Sequence, residues 1–235
     1  MSVLSRFFRY PFKCVSNTEG RRCRNKVLVK GDRCDDCWQA LATSRDVQDR
    51  IKAARAPELP DKVFVVLAVD PEDLVRTELA KRDDLPSWVC YYQGRGLAAD
   101  KVPAVRRQLG GNRKASPEAD WLLVHDEDPS VASAIVMKTT DLRLLQEATR
   151  HPNAYVRATA AASPLVTEDL EMALAYTNDK IVLMALAEKP STCDIVLTWL
   201  SQHPDYEISS PAAGQLYLRR TGRGGAVGSV ALPAA

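Results

Sequence analysis

Leu67-Ala68-Val69-Asp70-Pro71-Glu72-Asp73-Leu74-Val75-Arg76 is the stretch that decides the fold. An apolar helix end runs into an Asp-Pro break and out into a second apolar helix start. Asp, Asn and Thr cap a following helix through a side-chain oxygen, and Pro is tolerated in a first turn, where its missing N–H is not needed. With Val75 as anchor, the register returns at Val105, Val131, Val156, Val182 and Ile208, at intervals of 30, 26, 25, 26 and 26 residues. Eight residues before each anchor stand Leu67, Leu97, Leu123, Ala148, Leu174 and Leu200; four after stand Leu79, Leu109, Ile135, Ala160, Leu186 and Ala212. Polar or Pro-bearing breaks separate the halves, as in Asp126-Glu127-Asp128-Pro129, His151-Pro152-Asn153, Thr177-Asn178-Asp179 and His203-Pro204-Asp205.

Each unit therefore reads as helix, short turn, helix, and the second helix puts the anchor and the residue four further on one face. So short a unit cannot bury its apolar face alone; stacked neighbours must share a continuous core. The pattern predicts a mainly α chain, a right-handed α-solenoid of about five to six two-helix repeats over 61–210. Four parts are expected: a small zinc-ribbon- or knuckle-like metal domain over 1–40, a joining helix and Pro-marked linker over 41–60, the solenoid, and a flexible Gly/Ala-rich tail over 211–235. The joining segment reads as one helix from Cys37 to Arg55. The second repeat is stretched by Gln93-Gly94-Arg95-Gly96 and by Gly110-Gly111-Asn112-Arg113-Lys114.

The chain has 235 residues, 46% of them apolar, and a mean hydropathy of −0.24, enough to build a core and too much for wholesale disorder. Aromatic residues are only 6%, which favours helical packing over β-sandwiches. No run approaches the roughly 18 apolar residues of a membrane helix, and MSVLSRFFRYPF lacks the apolar core of a signal peptide, so a cytoplasmic protein without membrane contact is expected. Charge is uneven: residues 1–55 hold 13 Lys/Arg against 6 Asp/Glu, whereas 56–210 hold 16 against 24. A basic head precedes an acidic body.

Four of the six cysteines, Cys14, Cys23, Cys34 and Cys37, lie in that head with the spacing C-x8-C-x10-C-x2-C. Two residues between Cys34 and Cys37 let both sulfurs turn onto one cation, and four thiolates match a tetrahedral zinc site. Lys26-Val27-Leu28-Val29-Lys30 reads as a short strand leading to a Gly31-Asp32 turn. The loose first spacing leaves a 4Fe–4S cluster as the alternative to Zn2+, and a head without metal as a third reading. Arg21, Arg22, Arg24, Lys26, Lys30 and Arg33 surround the site; they either offset thiolate charge or offer phosphate-pairing donors to a nucleic acid. The isolated Cys90 and Cys193 read as small buried hydrophobes. The head resembles a zinc module built as Cys, then Gly-x-x-Cys-Arg-Asn, then Gly-x-x-Cys-x-x-Cys, here Cys14, Gly20 to Asn25 and Gly31 to Cys37, which implies metal binding and no reaction.

The repeat pattern Leu67-Ala68-x-Asp70-Pro71 with Val75-Arg76, seen again as Thr149-Arg150-His151-Pro152 with Val156-Arg157 and Ser163-Pro164, resembles the leucine-rich repeat variant family. That resemblance covers about residues 60–208 and implies a HEAT-like α-solenoid. The family's best-known architecture carries a cysteine-bound iron–sulfur cluster before its repeats, which also keeps the cluster open. Ala132 and Leu183 depart from the pattern, standing where Arg follows the anchor elsewhere.

Catalytic signals are weak. Asp126, Glu127 and Asp128 sit where helix capping explains them, and His125, His151 and His203 occupy or adjoin the same turn position. No phosphate loop, nucleophile elbow or HExxH motif occurs. Trp88, Trp121 and Trp199 read as core or inter-repeat packing. Arg95, Arg106, Arg107, Arg113 and Lys114 read as a local positive island or a tolerated insertion. The expected function is that of a non-enzymatic binding or scaffold protein, with a protein partner on the solenoid surface and nucleic acid as a candidate for the head. The alternative is an iron–sulfur redox or sensing protein with a partner-binding repeat domain.

Overall fold

Five helix starts among the described residues are set by short polar side chains: Asp46, Asp128, Asp141, Asn153 and Asp205 each accept a hydrogen bond from the N–H two residues on. The computed structural model describes residues 12–13, 17–18, 21–23, 26–27 and 33–222. It divides into two compact units, Met1–Ala119 and Asp120–Ala235.

In the first unit, β1 (Phe12–Lys13) pairs antiparallel with β4 (Lys26–Val27), and β2 (Asn17–Thr18) with β3 (Arg21–Arg22). Helices α1 (Asp35–Ala42), α3 (Asp61–Ala68) and α5 (Ser87–Cys90) follow one another in one layer, and α2 (Val47–Ala54), α4 (Asp73–Ala80) and α6 (Pro103–Gly111) form the other. Helix α7 (Pro117–Leu123) runs across the boundary. In the second unit, α9 (Leu142–Thr149), α11 (Glu168–Ala175) and α13 (Asp194–Ser201) make one layer, and α8 (Pro129–Lys138), α10 (Ala154–Ala161), α12 (Lys180–Glu188) and α14 (Tyr206–Thr221) the other. Both units are stacks of helix pairs.

The three apolar columns of the repeat are the core. Every anchor, every residue eight before it and every residue four after it is at most 1% exposed. Burying each Leu or Val contributes on the order of 1.5–3 kcal/mol. No pair could retain that alone, because its partner surface lies in the next repeat.

Two polar columns flank this core. The residue after the anchor folds over its own turn and reaches the next one, and Arg50, 26 residues before Arg76 although Asp49 stands in the anchor position, does so too: its Nε donates to Asp70 at 2.7 Å and Nη1 to Ser44 O at 2.9 Å. Arg76 does the same with Asp100 and the carbonyls of Asp70 and Pro71, and Arg157 with Asp179 and the carbonyls of His151 and Pro152. Ala132 and Leu183, which replace this Arg, are buried in its stead. Five residues before the anchor, a side chain ties the turn: Asp70, Asp100, Asp126, His151 and His203 each accept from the N–H two residues on.

Several sequence expectations change. The segment Cys37 to Arg55 is two helices, because Ser44 and Asp46 close a turn: the Asp46 N–H donates to Ser44 Oγ, and the Asp46 carboxylate then caps α2. The tail expected from 211 begins as helix, since α14 carries Pro211 within it and ends at Gly222, whose φ of 66° is a left-handed stop. Residues 223–235 lie outside the described residues. Trp88, Trp121 and Trp199 are 38%, 48% and 46% exposed and are not core; Trp199 does pack against Tyr176 of the neighbouring repeat. Cys90 is buried as expected, whereas Cys193 is half-buried at the start of α13, where burial raises its thiol pKa. The insertion at Gln93–Gly96 is a tight reversal closed by paired hydrogen bonds between Tyr92 and Arg95, with Gln93 and Gly94 at positive φ.

Candidate metal centre

Cys34 stands immediately before α1, with its carbonyl accepting from the N–H groups of Cys37 and Trp38, both at 3.0 Å. This first turn brings Cys37 back beside Cys34, as the two-residue spacing requires, and buries its side chain to 5% exposure. Cys23 follows β3 and delivers its sulfur to the same place: Cys23 Sγ lies 3.6 Å from Cys34 Sγ. All three sulfurs are within 4.8 Å of one another. The cluster sits at a helix N-terminus, where backbone N–H groups favour negative charge such as thiolate. Three cysteines so placed can hold a metal ion.

Cys14, the fourth expected ligand, lies outside the described residues, as do Arg24 and Lys30. Arg21, Arg22 and Lys26 are in short strands whose backbones alone are described. Arg33 has its guanidinium 5.3 Å from the Trp38 ring centre, stacked against the first turn of α1. Lys62 of α3 reaches toward Asp35 and Asp36 of α1, at 3.8 Å from each. The cysteine-bearing turn is thereby linked to the first repeats through α1.

His151 and His203 are turn residues: their Nδ1 atoms accept from Asn153 and Asp205 N–H groups, and His151 Nε2 meets Asp126 O at 3.3 Å. His125 is more exposed, with Nδ1 2.9 Å from Trp121 O and Nε2 3.5 Å from Glu147. Asp126 and Asp128 accept from turn N–H groups, as capping predicts.

Sequence reading missed the column seven residues after the anchor. Arg82 Nη1 donates to Ala54 O at 2.9 Å and Asn112 Nδ2 to Ala80 O at 2.8 Å; Lys138 pairs with Asp120 at 2.6 Å and Lys189 with Glu171 at 2.8 Å. Glu171 also accepts from Cys193 N–H, and Gln215 donates to Glu188 O. The signal was a polar residue in every repeat at that position, which an apolar-periodicity search passes over.

Helix pairs stacked at a fixed period, with a thiol cluster before them, define a helical-repeat α-solenoid protein with a candidate metal head. Among solved structures the fold is similar to one described as a leucine-rich repeat variant with a novel repetitive protein structural motif, at 24% sequence identity and a TM-score of 0.58, covering 77% of this chain and 71% of that one. The repeat fold that the Val-Arg register resembled is thus the fold observed. No family model matches the chain, and no curated protein matches it.

Proposed function

We propose that this is a non-enzymatic binding protein in which Cys14, Cys23, Cys34 and Cys37 hold one Zn2+ that folds the head, while the repeats present a surface to a protein partner. The observation that carries the reading is the 3.6 Å separation of the Cys23 and Cys34 sulfurs. Ligands on one tetrahedral zinc, with Zn–S near 2.3 Å, stand about 3.8 Å apart. In a four-iron cluster each cysteine binds a different iron, and the sulfurs are spread more widely. The ion would supply no reaction here; it would neutralise thiolate charge and tie Cys23, at the end of β3, to the first turn of α1. A cytoplasmic site fits this chemistry, since thiolates persist there.

A division into a head to 40, a joint to 60 and repeats beyond belongs to the same reading, with the repeats carried through α14 to Thr221 and not ending at 210. Arg21, Arg22, Arg24, Lys26, Lys30 and Arg33 would surround the zinc and are the place for a nucleic-acid contact. Such a contact would weaken steeply with salt and with charge reversal at Arg21, Arg22 and Arg24.

Metal analysis by mass spectrometry with an optical spectrum, on protein purified without oxygen or added metal, tests the proposal. One zinc per chain and no visible absorbance is the expected result. About four irons with a broad visible band would replace it with the redox reading.

A further inference from the structure

Helices α11 and α13 are neighbours in one layer of the second unit, and each turns a different set of side chains inward and outward. Leu174 and Ala175 of α11 and Val196, Leu197 and Leu200 of α13 are buried. Outward stand Met172 and Tyr176 from the repeat anchored at Val182, and Ile195 and Trp199 from the one anchored at Ile208, at 37%, 81%, 68% and 46% exposure. The Tyr176 and Trp199 rings contact each other across the repeat boundary, 6.5 Å between centres and tilted by 44°.

The repeat does not require apolar residues there. In the preceding repeat the positions of Tyr176, Ile195 and Trp199 are filled by Arg150, Arg143 and Glu147, and that repeat packs the same core. An exposed apolar and aromatic cluster that packing does not explain marks a contact surface, and Trp and Tyr are the residues that carry most binding energy at such surfaces.

Charge selects the occupant. Glu168 and Asp169, exposed in the first turn of α11, lie one and two turns from Met172 and Tyr176 on the same helix face. The described second unit, residues 120–222, holds 14 acidic against 8 basic side chains, a net of −6. The exposed Glu168 and Asp169 carboxylates beside the cluster disfavour phosphate backbones and anionic lipid there. They attract cations, and the Tyr176 and Trp199 rings can stack on a guanidinium or ammonium.

We propose that the Met172, Tyr176, Ile195 and Trp199 face binds a cationic polypeptide segment in which Arg or Lys side chains alternate with apolar ones. The apolar side chains pack on Met172 and Ile195, and the cations meet the two rings and the Glu168 and Asp169 carboxylates. This site rests on the reading of the chain as a binding protein and names the partner's chemistry.

The test uses the full-length, metal-loaded protein and three sets of short synthetic peptides of equal apolar content, alternating Leu with Arg, with Ser or with Glu. The expected result is binding of the Arg set alone, weakened by salt and reduced roughly tenfold or more by Trp199→Ser and by Glu168→Lys with Asp169→Lys. Both side chains of the charge-reversal pair are exposed, so a loss of binding larger than the change in folded fraction read from a circular-dichroism melt separates recognition from folding. Met137→Ser, at an exposed position on α8, leaves binding unchanged. Equal binding of the Ser or Glu set, or insensitivity to these variants, overturns this site and leaves the binding reading standing. Failure of every set to bind overturns the site; the broader reading then falls only if the protein also captures no partner through any other repeat surface.

Discussion

Arg76 grips Asp100 across 24 residues of sequence: Nε donates at 2.6 Å and Nη2 at 3.1 Å to the two carboxylate oxygens, and both side chains are 6% exposed. The same guanidinium donates through Nη1 to the carbonyl of Asp70 in its own turn. One side chain therefore closes a turn and clamps it to the next. Arg50 with Asp70 and Arg157 with Asp179 repeat the arrangement.

Arg76→Leu should be costly, because it leaves the Asp100 carboxylate buried without its counter-charge. A loss of about 3–5 kcal/mol is expected in urea unfolding. Arg76→Lys, which keeps the charge and loses the two-pronged geometry, should recover only part of it. A Leu variant as stable as the parent would show that the clamp is not what joins these repeats.

Gly96→Ala tests the reversal at the inserted turn. Gly96 has φ of 100°, and a Cβ there would lie 2.7 Å from Val89 O and 2.9 Å from Cys90 O, both backbone atoms that cannot swing away. The strained φ alone costs on the order of 1–3 kcal/mol, and the clash adds to it. Thermal melting of the variant should be clearly depressed, whereas Gly94→Ala, with no neighbour near its Cβ, should pay only the φ penalty.

Acid should weaken the first unit through Glu78, whose pKa is lowered to about 2, chiefly by the hydrogen bond from Arg55 and then by Lys81. A carboxylate held low in the folded state stabilises the fold at every pH above its unfolded value. That contribution is lost as pH falls from about 4.5 toward about 2. Arg55 and Lys81 are 63% and 46% exposed, so solvent screening holds the effect to about 1 kcal/mol. Denaturation midpoints across this range should fall less steeply for Glu78→Gln than for the parent.

Cys34→Ser should abolish stoichiometric zinc and, with it, amide-exchange protection in α1, because binding and folding are one equilibrium in small metal modules. Helices α8 to α14 should keep their protection. Retained metal in the variant, or collapse of the whole helical signal, would contradict the proposed role of the head.

Much of the repeat was legible because its information is local. Val75, Val105, Val131, Val156, Val182 and Ile208 mark one buried face at helical spacing, and all of them are core. The break between α1 and α2 was missed because Thr43 to Asp46 contains neither Gly nor Pro; capping by Ser44 and Asp46 does the work there. The core half of the reading for Trp88, Trp121 and Trp199 failed for another reason: they are as apolar as core residues, and only their position on the helix surface shows that they face out, while the inter-repeat half holds for Trp199 against Tyr176.

The cysteine spacing likewise predicted that Cys34 and Cys37 share a turn. The arrival of the Cys23 sulfur depends on where the end of β3 meets α1, a relation between segments that a spacing rule does not contain.

By itself, the sequence determined the helix-turn-helix period, the three apolar columns and the turn positions, because capping and amphipathic burial act within one or two turns of helix. The tertiary structure alone decided which polar side chains cross between repeats. Arg76 to Asp100, Asn112 to Ala80 and Arg157 to Asp179 span 22 to 32 residues, and a buried charge or amide finds its partner only after stacking has brought the next repeat against it.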